Sequence, residues 1–269
     1  MISLTGGKSY LHISPHLDDA VFSSGGLIAR QVADGAHVMI ATMVTADPKP
    51  RTPLSPLAQR YLAAWGSPAA PFADRCIEDI NAIKVLGAEW RHEGLLDCTY
   101  RFSPSGRILY GTMEQLFSAT PDPEDMAFIG AVSESVAALI DERHPDAIFT
   151  PATVGRHVDH VCVLSAVQPV AHKHRVPLYL WEDQPYSCGV YPPDNPDRVV
   201  DALKRIGHTG AIPVIERIDP APKMQAARCY VSQIKDLYAS PEAMDRVMTD
   251  YASSLGAPYP AERYWRVEL

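Results

Sequence analysis

The stretch YLHISPHLDD, residues 10–19, begins as a short apolar run and ends with a proline, a histidine and two adjacent aspartates. The run predicts a strand that delivers polar groups to its C-terminal end, the edge where open α/β sheets bind ligands. Apolar residues with helical spacing from Ala20 to Val32, closed by Asp34-Gly35, predict a helix and a turn. The nearly continuous apolar run from His37 to Thr45 predicts a buried parallel strand. Strand, helix and strand form a βαβ unit, so a parallel sheet is expected.

The rest of the chain continues this alternation. Predicted helices cover Phe72 to Leu86, Met126 to Arg143, Val161 to His172, Lys223 to Tyr238 and Pro241 to Leu255. Predicted strands cover Ala88 to Leu96, Ala147 to Pro151, Pro177 to Trp181, Pro213 to Ile218 and, as an edge strand, Glu262 to Leu269. The proline-rich segment 47–71 is either a lid over an active site or a surface excursion. We therefore expect one α/β domain over residues 1–269, with a Rossmann-like, doubly wound, mainly parallel sheet flanked by helices.

Composition and charge argue against several classes of protein. The chain has 269 residues and a net charge of -8, so it lacks the basic footprint of a protein that binds nucleic acid or anionic membranes. No apolar run approaches the ~20 residues of a membrane span, and residues 1–8 show no signal-peptide core. The five cysteines are scattered and never form C-x-x-C, which favours a reduced, cytoplasmic protein over a disulfide framework. We expect a small-molecule substrate, and the oligomeric state stays open, with a homo-oligomer among the alternatives.

The opening stretch contains part of a metal site. His16 and Asp19 offer one nitrogen and one oxygen ligand three residues apart, which suits a divalent metal such as zinc. An open catalytic zinc site needs a third protein ligand. The loop after the predicted strand at 147–151 contains RHVDH, residues 156–160, and also lies between a buried strand and a helix. Both loops open at the same edge of a doubly wound sheet, so we expect them to converge.

These two stretches resemble a known family. SPHLDD, residues 14–19, and RHVDH match the two signature motifs of the PIG-L/LmbE-like deacetylases, with softer similarities at 75–87, 95–101, 181–186 and 230–233. The resemblance implies an LmbE-like fold and a zinc-dependent enzyme that removes N-acetyl groups from glucosamine-containing substrates. Leu17 and Ala20 stand where the commonest first motif has Pro and Glu. This variant is similar to members that act in antibiotic or other secondary metabolism, including glycopeptide pseudoaglycone deacetylases.

The resemblance also implies roles for single residues. Zn²⁺ would be held by His16, Asp19 and His160. Asp18 would be the general base that activates the attacking water and later the acid that protonates the departing amine. His157 would help to stabilise the tetrahedral oxyanion, and Asp159 would orient a histidine. A site with two histidines and one aspartate leaves a position for water, whose pKa zinc can lower to about 7.

Four residues are predicted to bind substrate: Arg75, Asp97, Arg101 and Tyr186. Asp97 follows a predicted strand at the ligand edge, where it would contact a sugar hydroxyl or have a structural role. Arg75 has the alternative of pairing with Glu78 on a helix surface. Some family members place a tyrosine near the second motif, where this chain has Gly155. A tyrosine from elsewhere, or none, is therefore expected to assist the intermediate.

The leading functional hypothesis is hydrolysis of the amide of an N-acylated amino sugar, such as an N-acetylglucosaminyl moiety of a glycosylated secondary metabolite. The alternatives are an amidase acting on a sugar-thiol conjugate and a non-catalytic metal- or nucleotide-binding Rossmann-like module. The first βα turn lacks G-x-G-x-x-G and has two negative charges where a pyrophosphate would bind, which argues against a nucleotide. The sequence His144-Pro145-Asp146 imitates a ligand pattern, but we expect it at the opposite edge of the sheet and predict a structural role.

Overall fold

The computed structural model describes residues 4–49, 52–65, 71–192 and 196–268, and within them seven strands form one sheet. The strands are β1 (Ser9–Ser14), β2 (His37–Ala46), β3 (Glu89–Leu96), β4 (Ala147–Pro151), β5 (Leu178–Trp181), β6 (Ile212–Arg217) and β7 (Ala261–Val267). The described helices are α1 (Asp19–Ala33), α2 (Pro56–Trp65), α3 (Pro71–Leu86), α4 (Met113–Leu116), α5 (Met126–Arg143), α6 (Val158–His174), α7 (Val199–Arg205), α8 (Pro220–Ala227), α9 (Val231–Leu237) and α10 (Pro241–Gly256). None of these helices is long and apolar enough to cross a membrane.

The sheet order is β3-β2-β1-β4-β5-β7-β6, and β1 to β5 are parallel. The predicted mainly parallel, doubly wound sheet is therefore confirmed. β1 and β4 are direct neighbours, with Tyr10 opposite Ala147 and His12 opposite Phe149. The chain leaves β1 towards β2 and leaves β4 towards β5, so the strand order reverses between them. Such a reversal opens a crevice at the carboxyl edge of the sheet, where doubly wound proteins bind ligands.

Successive side chains of β1 point to opposite faces of the sheet, and each face packs in its own hydrophobic core. Leu11 and Ile13 belong to one buried cluster, whereas Tyr10 packs with Phe149 in the other. His12 points to the second face, where its Nε2 lies 3.0 Å from the amide oxygen of Gln31. Burial lowers the pKa of His12 to about 4, so this histidine is a neutral core residue, as its position in the strand predicts.

Several predicted elements differ from the structure. The C-terminal strand β7 is not an edge strand, because it lies between β5 and β6 and is antiparallel to both. The helix predicted from Lys223 to Tyr238 is divided into α8 and α9, and the break coincides with Tyr230, whose hydroxyl donates to the buried Asp79 (2.6 Å). The segment 47–71 includes the helix α2, and α7 was not predicted at all. Helix α6 begins at Val158, so the last three residues of the second motif form its first turn, whereas Arg156 and His157 precede it.

Candidate metal and catalytic centre

The loops after β1 and β4 meet at the crevice and bring the three predicted metal ligands together. Asp19 Oδ2 lies 3.1 Å from Nδ1 of His16 and 3.2 Å from Nε2 of His160. All three residues are buried. The α1 helix begins at Asp19, and the α6 helix carries His160 in its first turn, so regular backbone fixes both side chains.

The hydrogen bonds of His160 determine which of its nitrogens can bind a cation. Its Nδ1 lies 2.6 Å from Oδ1 of the buried Asp183, so Nδ1 carries the proton and donates it. In the neutral ring, which is the form that binds a metal, Nε2 then has a free lone pair, and among the described residues it has no hydrogen-bond partner. This lone pair faces the carboxylate of Asp19 at 3.2 Å, an arrangement that requires a positive charge between them.

His16 is oriented in the same way through its other nitrogen. Its Nε2 lies 3.0 Å from Oδ2 of Asp159, so the proton resides there and the Nδ1 lone pair faces Asp19. Burial lowers the pKa of His160, but the charge of Asp19 and the bond to Asp183 outweigh it and raise that pKa to about 9. The site thus favours positive charge at the point where three lone pairs converge. Two imidazoles and a carboxylate fit a divalent transition-metal cation.

Other histidine, cysteine and aspartate combinations in the same region have potential ligand atoms within 4.8 Å of one another: His16 with His157 and His160, Cys98 with His157 and Asp159, and His16 with Asp97 and Asp159. In His157, Nδ1 accepts the backbone N–H of Asp159 (3.2 Å), so the proton of the neutral ring is on Nε2 and neither nitrogen is free. The oxygens of Asp159 face Arg101 (2.6 Å) and His16. The predicted set of His16, Asp19 and His160 is not among these three groups, and it is defined instead by the contacts of Asp19 Oδ2 with both histidines.

Asp18 adjoins the predicted ligand Asp19 and lines the cavity. Its φ of 149° is an unusual conformation for a residue other than glycine, of a kind that costs roughly 1–3 kcal/mol and often occurs at active sites. Its side chain makes no capping hydrogen bond to α1, so helix capping does not explain it. Burial and the charge of Asp19 raise the pKa of Asp18 to about 8, against the lowering effect of Arg75, whose Nη2 lies 3.9 Å away. A carboxyl group with such a pKa can take up and release a proton near neutrality.

His157 also lines the cavity and lies next to the two histidines of the predicted metal site. Its ring centroid is 4.7 Å from that of His16 and 5.3 Å from that of His160. Burial and the charge on His16 hold the pKa of His157 well below its ordinary value, so the ring is neutral. With Nδ1 occupied by the backbone of Asp159, its Nε2–H is a fixed donor. The geometry suits donation to an oxygen that gains negative charge.

The cavity is lined by both charged and aromatic residues. The charged ones include Asp18, Asp19, Arg75 and Asp97, and the aromatic ones include Tyr61, Phe117, Tyr186 and Tyr191. Glu78, which one alternative pairs with Arg75, accepts both the backbone N–H and the hydroxyl of Ser232. Asp97 holds Thr99 through Oδ1 (2.9 Å to N and 2.6 Å to Oγ1) and also lines the cavity.

Tyr186 reaches the second loop from the segment after β5. Its ring packs on Gly155, where a Cβ would lie 2.2 Å from the ring, and the φ of +88° at this position also favours glycine. The Tyr186 ring centroid is 5.7 Å from that of His160. A tyrosine from elsewhere in the chain thus lies beside the second motif. Trp181, also in the chain near this segment, is fully buried in the core, and the side chain of Trp65 lies outside the described residues.

Arg101 is placed differently from the other predicted substrate contacts. It does not line the cavity, and its guanidinium lies between two buried carboxylates, those of Asp125 and Asp159. This position favours a supporting role over the substrate contact predicted from the sequence. Sequence reasoning also missed Asp183, Phe117 and the α9 residues of the cavity; Asp183 follows β5 at the ligand edge, which was the available signal.

The sequence His144-Pro145-Asp146 lies before β4, at the edge of the sheet opposite the cavity. His144 is the residue that follows α5, in a left-handed conformation, and Asp146 accepts the backbone N–H groups of Lys8 (2.6 Å) and Ser9 (3.0 Å). Its carboxylate therefore joins the N-terminal segment to the start of β4. The predicted structural role is confirmed.

Comparisons with known proteins identify a family and several related chains. A family model described as GlcNAc-PI de-N-acetylase (PIG-L) matches residues 11–171. A 2'-N-acetylparomamine deacetylase of Streptomyces fradiae is 30% identical over 191 residues, which cover 68% of this chain but only 59% of that relative. A structure of the zinc-inhibited form of a teicoplanin deacetylase aligns with a TM-score of 0.79 at 31% identity, covering 97% of this chain and 99% of that one. The pseudoaglycone deacetylase of the antimicrobial reagent A40926 aligns with a TM-score of 0.73 at 28% identity, covering 96% of each chain. With both signature loops inside the matched region and their side chains converging on one point, the chain belongs to the PIG-L family.

Proposed function

We propose that this protein is a zinc-dependent N-deacetylase that hydrolyses the amide of an N-acetylated amino sugar to acetate and a free amine. The observation that carries the proposal is the convergence of the His16, Asp19 and His160 lone pairs beside Asp18, a carboxyl group that makes no helix cap. The relatives named above are deacetylases, which supports the same reaction.

In this proposal the bound zinc supplies Lewis acidity and lowers the pKa of water in the site. Asp18 removes a proton from the attacking water while the new C–O bond forms at the acetyl carbon. The Nε2–H of His157 donates to the oxyanion that develops on the former carbonyl oxygen. Asp18 then delivers its proton to the nitrogen as the C–N bond breaks, so acetate and the amine leave and the carboxylate is restored.

The lining of the cavity supports an amino sugar as substrate. Aromatic side chains can stack on the apolar face of a sugar ring, and Phe117 and Tyr191 pack edge-on with centroids 6.1 Å apart. Asp97 and Arg75, which also line the cavity, can hydrogen-bond to hydroxyl groups. We infer that the sugar belongs to a glycosylated secondary metabolite, because the alignment with the teicoplanin deacetylase covers nearly all of both chains.

Three variants test this proposal, with acetate release measured across a panel of N-acetylglucosamine compounds. The wild type should contain one divalent metal ion per chain and release acetate. Asp18→Asn should retain the metal and lose about 100- to 10,000-fold in kcat, the range ascribed to a general base. His160→Ala should lose the metal, whereas the matched control His37→Ala, an exposed histidine at the start of β2, should keep both metal and activity.

Any of three results would contradict the proposal. A wild type that acquires no metal from a zinc-replete medium would show that the converging lone pairs are not a metal site. Full activity in Asp18→Asn would show that another group is the base. Stoichiometric metal without release of acetate or a longer acid from any compound would favour the non-catalytic module.

A further inference from the structure

A buried row of alternating charges lies behind His16. Asp125 accepts two hydrogen bonds from Arg101, 3.0 Å from Nε to Oδ1 and 2.8 Å from Nη2 to Oδ2. Arg101 Nη2 also lies 2.6 Å from Oδ1 of Asp159, in ion-pair rather than hydrogen-bond geometry. Oδ2 of Asp159 in turn accepts from Nε2 of His16 (3.0 Å). The row therefore runs from carboxylate to guanidinium to carboxylate to imidazole.

The surroundings hold this row in one arrangement. The Arg101 guanidinium lies 3.9 Å from the ring centroid of Phe128, and its Nη1 donates to the carbonyl of Leu96 (3.0 Å). The hydroxyl of Tyr110 donates to Asp125 (3.0 Å). The side chains of Arg101, Asp125 and Asp159 are exposed by 8%, 3% and 0%. Each charged group thus has several fixed partners and very little contact with water.

Stability alone is a weak explanation for such a row. A buried ion pair often contributes no more to folding than well-packed apolar residues of similar volume, because removing the charges from water offsets their attraction. The row ends on an imidazole whose free nitrogen faces Asp19, so its geometry has a direct consequence for that nitrogen. Arg101 is separated from the cavity, which argues against a substrate contact.

We propose that Arg101 and Asp125 are positioning residues of the metal centre, which hold Asp159 so that it fixes the His16 proton on Nε2 and leaves Nδ1 for the metal. This inference rests on the proposed function, in which His16 is a metal ligand. The forked guanidinium fixes where the Asp159 carboxylate lies. The charge of Asp125 offsets that of Arg101, so Asp159 stays a strong acceptor for His16.

The experiment compares Asp125→Asn and Arg101→Lys with the wild type and with Glu262→Gln. Asparagine keeps the shape of Asp125 and removes its charge, and lysine keeps the charge of Arg101 and removes the fork. Glu262 is the matched control, because its carboxylate is also buried in an ion pair, with Lys223 at 2.8 Å, two turns of α1 away from Asp19. For each protein we would measure the zinc Kd by competition with a chromophoric chelator, kcat and KM at saturating zinc, and the unfolding temperature without metal.

Both Asp125→Asn and Arg101→Lys should raise the zinc Kd by about tenfold, the lower end of the effect of removing a group that orients a metal ligand. KM should stay within about twofold of the wild type, whereas kcat should fall. Glu262→Gln should lower the unfolding temperature and leave the zinc Kd unchanged. This contrast separates an action on the metal centre from a general loss of stability.

Three other results would overturn the inference. An unchanged zinc Kd in both variants, with the wild type binding zinc and releasing acetate, removes the inference and leaves the proposed function intact. A raised KM with unchanged zinc Kd and kcat makes Arg101 a substrate contact. A wild type that binds no zinc contradicts the proposed function and the inference together.

Discussion

Replacing Asp183 by asparagine should invert the proton position on His160. Oδ2 of Asp183 accepts the backbone N–H of Val154 (3.0 Å), and Oδ1 accepts Nδ1–H of His160 (2.6 Å). In Asp183→Asn the amide oxygen has to face the Val154 N–H, because only the oxygen can accept. The amide NH₂ then faces Nδ1, which must become an acceptor, and the imidazole proton moves to Nε2. That nitrogen is the one directed at Asp19.

The size of the effect follows from the bond that is lost. A hydrogen bond to a charged group contributes about 1.5–3 kcal/mol, which corresponds to about 10- to 150-fold in a binding constant. Asp183→Ala removes this bond but leaves His160 free to adopt either proton position, so its zinc Kd should rise by about tenfold. Asp183→Asn opposes the required form, so its zinc Kd should rise by about 100-fold.

The stability of the two Asp183 variants without metal should follow the reverse order of their zinc Kd values. Asparagine keeps a partner for the Val154 N–H, whereas alanine leaves that buried donor unsatisfied at a cost of about 1–3 kcal/mol. Asp183→Asn should therefore unfold at the higher temperature without metal and yet bind zinc more weakly. Chelator competition and thermal unfolding on the same preparations test the two orders. If the asparagine variant binds zinc as tightly as the alanine variant, the proton-inversion reasoning is wrong.

Three further predictions concern residues of the cavity and an ion pair that stabilises the fold. Gly155→Ala should destabilise the protein by more than ~1 kcal/mol and raise KM, measured by denaturant unfolding and initial rates, because the residue has a φ of +88° and a methyl group would overlap the Tyr186 ring. Phe117→Ala should raise KM about two- to tenfold without changing the zinc Kd, since an aromatic contact is worth about 0.5–1.5 kcal/mol; an unchanged KM would remove Phe117 from the sugar subsite. Burial lowers the pKa of His92, but its 2.8 Å bond with Asp79 raises it to about 9, so the pair stabilises the fold fully below pH 6.5 and loses this effect as pH rises through 9. His92→Gln should therefore destabilise most at pH 6 and least at pH 10, and equal effects at both would contradict this sign.

The fold and the meeting of the two signature loops were predictable because both depend on local pattern. Apolar runs at residues 10–13 and 147–151 indicate parallel strands, and strand direction alone places the following polar residues at one edge. The conclusion needs no knowledge of side-chain contacts. The same reasoning correctly assigned His144 and Asp146 to the other edge, since they precede a strand rather than follow one.

The residues that hold the side chains of the site in place could not be predicted from the sequence, because their roles depend on contacts between distant segments. Arg101 follows a strand and looks like a substrate contact in sequence, yet it lies between Asp125 and Asp159. Asp183 lies in a stretch whose similarity to the family is soft, and only its distance to His160 reveals its role. The break between α8 and α9 coincides with the bond from Tyr230 to Asp79, a contact between distant segments that local periodicity does not contain.

His16 and His160 direct different ring nitrogens towards Asp19. A sequence motif identifies the two histidines, but it does not say which nitrogen each of them would offer to a metal. His16 offers Nδ1 because Asp159 holds Nε2–H, whereas His160 offers Nε2 because Asp183 holds Nδ1–H. Neither preference is contained in the order of residues in the motif, since a histidine with a different acceptor would offer its other nitrogen. One of the two acceptors, Asp183, lies outside both signature motifs. Under the proposed function, a chain that keeps both motifs but has Asp183 replaced would hold zinc less tightly.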